Sequence, residues 1–121
     1  WLWQSESTDG GETWSEAQQS AIPNPAAKVN LLRARDGRVF LIHNPVAYEG
    51  EFPGRRSPLS LWVSEDDLRT WPVKLDLVWE DNPRVSLNYP DGYLDEERGL
   101  LHFAWEDARS VYLMKVPMDL C

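Results

Sequence analysis

A single cysteine in 121 residues, Cys121 at the last position, excludes an internal disulfide and leaves the redox compartment open. Histidine is nearly as scarce. His43 and His102 fall on expected strands with no second ligand at metal spacing, so both read as core or edge residues, and no metal or cofactor is expected. Twelve Lys and Arg stand against twenty Asp and Glu, and the net charge of −8 argues against a nucleic-acid partner, which needs a basic patch. An acidic protein can still hold a basic pocket for an anionic ligand, so that sign does not describe a site. No apolar run approaches the roughly 18 residues of a membrane span. No signal peptide is visible, and the chain opens on Trp1 rather than Met, so it is expected to begin partway through a gene product. Phosphate loops, nucleophile elbows and C-x-x-C pairs are absent. Helical periodicity is missing too: the best candidate, Glu65 to Thr70, is little more than a turn and stops at Trp71-Pro72.

What is present is short, apolar and β-like. The 42% hydrophobic content suffices for a core, and 26% charged residues suits an exposed surface. Strands are expected at Trp1–Glu6, Val29–Ala34, Val39–Asn44, Leu59–Ser64, Lys74–Trp79, Ser86–Leu94, Leu100–Trp105 and Val111–Val116. Asp36-Gly37 between two of them is a strong hairpin signal. Loops are expected at Ala21–Lys28 and at Pro45–Arg56, the latter carrying Gly50, Pro53 and Gly54, and no linker divides the chain. Seven tryptophans are several times the usual share. Tryptophan plugs the space between sheets and also stacks on sugars, and packing is the expectation for most of them.

Short strands at regular spacing suit a sandwich, a barrel or a propeller, and an internal repeat separates these options. Ser7-Thr8-Asp9-Gly10-Gly11-Glu12-Thr13-Trp14 returns as Ser64-Glu65-Asp66-Asp67-Leu68-Arg69-Thr70-Trp71, each copy following a strand that ends in its Ser. The interval from Trp14 to Trp71 accommodates one four-stranded sheet with a long loop, which favours a propeller. Asp accepts hydrogen bonds from nearby backbone N–H groups and pins a turn. Gly takes backbone angles that other residues avoid, and Trp folds back over the hairpin. The first copy matches the S-x-D-x-G-x-T-W pattern of an Asp box, and the second is degenerate, with Leu68 at the glycine position. Both boxes read as structural, their carboxylates committed to the turn.

The segments around the boxes carry a more specific resemblance. After the first box come Asn30-Leu31-Leu32, Asp36-Gly37-Arg38 and Leu41-Ile42-His43-Asn44-Pro45; then Arg56-Ser57-Pro58-Leu59-Ser60-Leu61 leads into the second box. Asn88-Tyr89-Pro90-Asp91 and Leu101-His102-Phe103-Ala104-Trp105-Glu106 follow. This succession resembles the C-terminal half of sialidases and the wider BNR-repeat, sialidase-like group, over nearly the whole chain. The resemblance implies an all-β propeller of about six blades. Residues 1–121 would supply a partial propeller domain of roughly the last two and a half blades, with boxes at 7–14 and 64–71 and the other blades upstream.

The resemblance also implies roles. Arg56 stands where the family has an arginine of the triad that grips a sialic acid carboxylate, for which a guanidinium fork is suited. Tyr89 stands at the family's nucleophile. A neutral nucleophile suits an anomeric carbon that bears a carboxylate, because two unit charges ~4 Å apart repel by ~4 kcal/mol at an effective dielectric of about 20. A phenol avoids that repulsion when a neighbouring carboxylate takes its proton, and sialidases use tyrosine in place of the second carboxylate of other glycosidases. Glu106 stands where the family keeps a glutamate that orients a triad arginine. The implied acid/base aspartate, the glutamate that activates the tyrosine and two further arginines would lie upstream of Trp1, so this chain by itself is expected to be inactive. The implied activity is retaining hydrolysis of a terminal sialic acid, or a related acidic sugar, from sialylated or other acidic glycans. Glu106-Asp107-Ala108-Arg109, with Tyr89-Pro90-Asp91 and Gly92 before it, also resembles the ending of a less characterised sialidase-like subgroup, which leaves the sugar open. The alternative is a propeller that binds glycans or proteins without catalysis. Asp91 reads more simply as a turn residue than as a sugar ligand, and Asp95-Glu96-Glu97 as a solvated hairpin tip.

Overall fold

The computed structural model describes residues 1–48, 50 and 54–120; Pro53 of the long loop and Cys121 lie outside the described residues. The strands are β1 (Trp3–Gln4), β2 (Gln18–Gln19), β3 (Asn30–Arg33), β4 (Val39–His43), β5 (Leu59–Ser64), β6 (Val73–Val78), β7 (Asn88–Asp95), β8 (Leu100–Glu106) and β9 (Val111–Pro117), followed by one 3-10 turn at Met118–Leu120. They form three antiparallel meanders: β1-β2, β3-β4-β5-β6 and β7-β8-β9. No α-helix occurs among the described residues, and the Glu65–Thr70 segment is a turn. No described helix is long and apolar enough to cross a membrane.

Alternation decides which face each strand buries. In β8, Leu101, Phe103 and Trp105 point inward, while His102, Ala104 and Glu106 alternate with them. These inward residues meet Phe40, Ile42, Leu61 and Val63 of the second sheet, and the two sheets share one apolar core. Fully burying a side chain of this size stabilises by roughly 1.5–3 kcal/mol, so the contact fixes the two sheets face to face. The central strands β4 and β5 are buried throughout. Their second set of side chains, including Val39, Leu41, His43 and Trp62, lies on the opposite face. Asp36-Gly37 makes the expected turn, closed by Ala34 N–H donating to the Arg38 carbonyl at 2.9 Å.

Two differences from the sequence reading have local causes. The strand expected over Trp1–Glu6 contracts to Trp3–Gln4, and its partner β2 is Gln18–Gln19, an all-polar pair that carries no alternation to detect. The tryptophans divide rather than pack as a group. Trp62 and Trp105 are buried, but Trp1, Trp3, Trp14 and Trp79 are exposed. Trp1 and Trp3 belong to the small first hairpin, whose strand residues are all exposed. Trp14 and Trp79 are held by local bonds, their indole N–H groups donating to the Gly11 carbonyl and to Asp81.

Candidate functional site

Antiparallel meanders place alternate turns at opposite ends of the strands. The two box turns, the Asp36-Gly37 turn and the β7–β8 turn lie at one end. The 24–28 loop, the approach to β5, the start of β7 and the end of β8 lie at the other, and Arg56, Tyr89 and Glu106 are all there.

Arg56 is held by what surrounds its backbone. Leu87 N–H donates to the Arg56 carbonyl at 3.0 Å. The fully buried Asn44 donates its side-chain amide to the Pro58 carbonyl at 3.0 Å and the Leu87 carbonyl at 3.3 Å. The segments bearing Arg56 and Tyr89 are therefore clamped to each other. The guanidinium donates from Nη1 to Asn88 Oδ1 at 3.0 Å and from Nη2 to the Ala26 carbonyl at 3.1 Å. Ala26 is presented by a loop that Asn24 pins at both ends through Ala27. Among the described residues Nε is buried without a partner, and one hydrogen on each terminal nitrogen is left over.

The same guanidinium lies over the Tyr89 ring, its Cζ 5.6 Å from the centroid. Tyr89 has a left-handed backbone, φ 53°, uncommon for a bulky residue. It sits in an irregularity where the β7–β8 register shifts between Asn88 and Asp91, and bulges of this kind re-aim side chains. The side chain is exposed (53% for the residue), and its hydroxyl bonds to no described residue. Backbone strain of about 1–3 kcal/mol persists where surrounding structure over-determines it, and it clusters at functional sites. A second cation borders the tyrosine: Lys28 Nζ donates to the Pro90 carbonyl at 2.7 Å and lies 3.7 Å from Asp91, which also accepts from Asn30 at 3.2 Å. Asp91 is thus bonded to the first strand of the neighbouring sheet rather than to a turn of its own.

Glu106 ends β8 directly across the ladder from Asn88. It is half-buried and makes no ion pair with Arg56 or any other described residue. The structure thus brings Arg56 and Tyr89 into contact and leaves Glu106 beside them, joined only through the strand register. Its neighbour Asp107 has a different task. Asp107 accepts from the N–H groups of Arg109 and Ser110, both at 3.0 Å, and from the Tyr112 hydroxyl at 2.9 Å. The backbone N–H of Arg109 and the Tyr112 hydroxyl together hold its carboxyl below the usual range, and Arg109 stays with it at 3.5 Å. The sequence assigns no site role to Lys28, or to Asn30 and Asn88 within their motifs, because each joins the site through contacts between distant segments.

The far end of the strands is occupied by the boxes. Asp9 accepts from Ser7 and from the backbone N–H and hydroxyl of Thr13, and Asp66 repeats this with Ser64 and Thr70. The Thr hydroxyl leads in lowering each carboxyl to about 2. The degenerate copy keeps the geometry: Asp67 and Leu68 adopt φ 60° and 72° where Gly10 and Gly11 have 76° and 92°. His43 lies buried on β4 with Trp62 edge-on to it at 4.6 Å, and burial first, then Lys74, pushes it down to about 4. His102 stacks on Tyr93, 3.9 Å from Asp95. The hairpin tip at 95–97 is cross-linked rather than merely solvated, since Asp95 pairs with Arg98 and Glu96 accepts the Arg35 N–H.

Among the described residues the end bearing Tyr89 therefore offers an exposed phenol, an arginine with one free N–H on each terminal nitrogen and a nearby unpaired carboxylate. That set can bind an anion and present a nucleophile beside it. A family model described as a BNR repeat-like domain matches residues 1–103. No curated protein matches the chain.

Proposed function

Because the chain belongs to the BNR repeat-like family, we propose that its sheets are blades of a sialidase-type propeller of about six blades, and that Arg56 and Tyr89 form one wall of an exo-glycosidase site for sialic acid or a related acidic sugar. The observation that carries this reading is Tyr89 itself, exposed, strained and aimed by a bulge beneath a guanidinium. Equivalent boxes support the blade assignment. The first joins β1 to β2 and the second joins β5 to β6, so the small hairpin corresponds to the outer half of a four-stranded sheet. In the proposed ring, residues 1–121 form part of the domain, and the other blades supply the rest of the site.

Arg56 uses the remaining N–H of each terminal nitrogen on the sugar carboxylate. The Tyr89 oxygen, its proton taken by a carboxylate from another blade, attacks the anomeric carbon while an acid protonates the departing glycosidic oxygen. Water then cleaves the glycosyl-tyrosine, and the configuration is retained overall. Glu106 orients a second arginine of the site.

Turnover of an aryl sialoside and binding of a sialic acid analogue, measured on the full-length gene product, test this reading. Tyr89→Phe is expected to lower turnover by at least about a thousandfold, which corresponds to about 4 kcal/mol of barrier, while binding changes little. Equal loss of binding and turnover would instead make Tyr89 a ligand contact in a propeller that binds glycans without cleaving them.

A further inference from the structure

We propose that Asn88 is a positioning residue whose neutral side-chain oxygen aims the Arg56 guanidinium without neutralising it, leaving that charge for an anionic ligand. The inference rests on the acidic-sugar reading of the site and deepens it. Asn88 accepts from Arg56 Nη1 at 3.0 Å. Arginine only donates, so the amide oxygen is the atom that must face it. The amide is placed by its backbone: Asn88 opens the irregular stretch of β7, and the preceding residue, Leu87, is tied to Arg56 and to Asn44. The other acceptor of the Arg56 guanidinium among the described residues, the Ala26 carbonyl, is neutral as well.

Of the nine arginines, Arg55, Arg56, Arg69 and Arg84 have no carboxylate partner among the described residues, and of these four Arg56 alone is half-buried. Five other arginines lie within ion-pair distance of a carboxylate, as an acidic protein allows. Arg56 pairs with none among the described residues, although Glu106 stands across the ladder from Asn88. A carboxylate at position 88 could take two guanidinium N–H groups in a charge-assisted fork and would compete with a ligand carboxylate for them. An amide oxygen fixes direction and leaves the charge unmatched.

Asn88→Asp, nearly isosteric and able to keep the bond to Arg56, isolates charge from shape. Calorimetric titration of the full-length gene product would use N-acetylneuraminic acid and glucuronic acid, each beside its uncharged methyl ester. The wild type is expected to prefer a free acid over its ester. Asn88→Asp should lose at least about tenfold in affinity for that acid, the equivalent of one charge-assisted hydrogen bond, with little change for the ester and an unchanged melting temperature. An acid affinity within about twofold of wild type, or equal losses for acid and ester, overturns the role of Asn88 even if Tyr89→Phe is inactive. A wild-type protein that binds none of the four overturns the acidic-sugar reading and this inference with it.

Discussion

Tyr89 and His43 both depart from the surroundings of an ordinary strand residue, and they do so in opposite ways. Tyr89 is exposed on a strained backbone, whereas His43 is buried with both ring nitrogens unpartnered among the described residues. Since burial lowers His43 from its ordinary 6.5 to about 4, the unfolded chain binds more protons than the folded one between those values. The stabilisation is therefore complete above pH 6.5 and is lost as pH falls towards 4, by up to about 3 kcal/mol. Denaturant unfolding of the wild type should show that decline, and His43→Leu should flatten it; an unchanged slope in the variant would remove His43 as its source. Arg56 and Tyr89 could be picked out from the sequence because short motifs mark them. Asn88, Lys28 and Asn44 could not, since their parts depend on contacts between segments far apart in the chain.

Among elements, the box turns were the most readable part of the sequence, because their hydrogen bonds are local and each residue type has one task. The second box shows how far the pattern tolerates change. Leu68 replaces glycine yet keeps a left-handed backbone, so its N–H still reaches Ser64 Oγ at 3.0 Å. Both Leu68→Gly and Leu68→Ala remove the side chain, but only glycine relieves the backbone. Leu68→Gly should be the more stable of the two by about 1 kcal/mol, net of the entropy glycine loses on folding. Equal stability in thermal melts would mean that the turn carries no such strain. Asp9 and Asp66 have folded values near 2 against an ordinary 3.8, so their contribution is present above 3.8 and is lost as pH falls through 2. That window lies below the one set by His43, and double substitution of both aspartates by Asn should shrink it, the remainder coming from Asp36, Asp95 and Asp107, whose carboxyls are lowered as well. Apolar strands are legible in the sequence almost to the residue, Leu59–Ser64 among them. The Gln18–Gln19 strand was missed because nothing but backbone pairing defines it. Within β7, Gly92 is required by contact: an added Cβ would collide with the His102 carbonyl and Phe103. Gly92→Ala is accordingly expected to lower the melting temperature and to disturb the strand that carries Tyr89.

At the scale of the whole molecule, the third sheet buries Leu101, Phe103 and Trp105 but leaves Tyr93, Val111 and Leu113 exposed. In the proposed ring such a face lies against a neighbouring blade, as the second sheet's face lies against the third. The isolated 121-residue chain should therefore self-associate and fail to hydrolyse a sialoside. Sedimentation and a fluorogenic assay check both, and an active, monomeric chain would contradict the blade assignment. All-β character and the repeat were readable from composition and spacing. The packing of one sheet on another was not, because it depends on which strand face each meander turns inward. The account as a whole turns on whether the Tyr89 oxygen forms a bond to the sugar. Incubation of the full-length gene product with a sialic acid carrying fluorine at the anomeric carbon and at its neighbour, followed by peptide mass mapping, tests this directly: fluoride leaves and the second fluorine slows hydrolysis. The expected result is a glycosyl adduct on the peptide containing Tyr89, and its absence in Tyr89→Phe. An unlabelled Tyr89 in a protein that cleaves sialosides, or a label on another residue, would contradict the account.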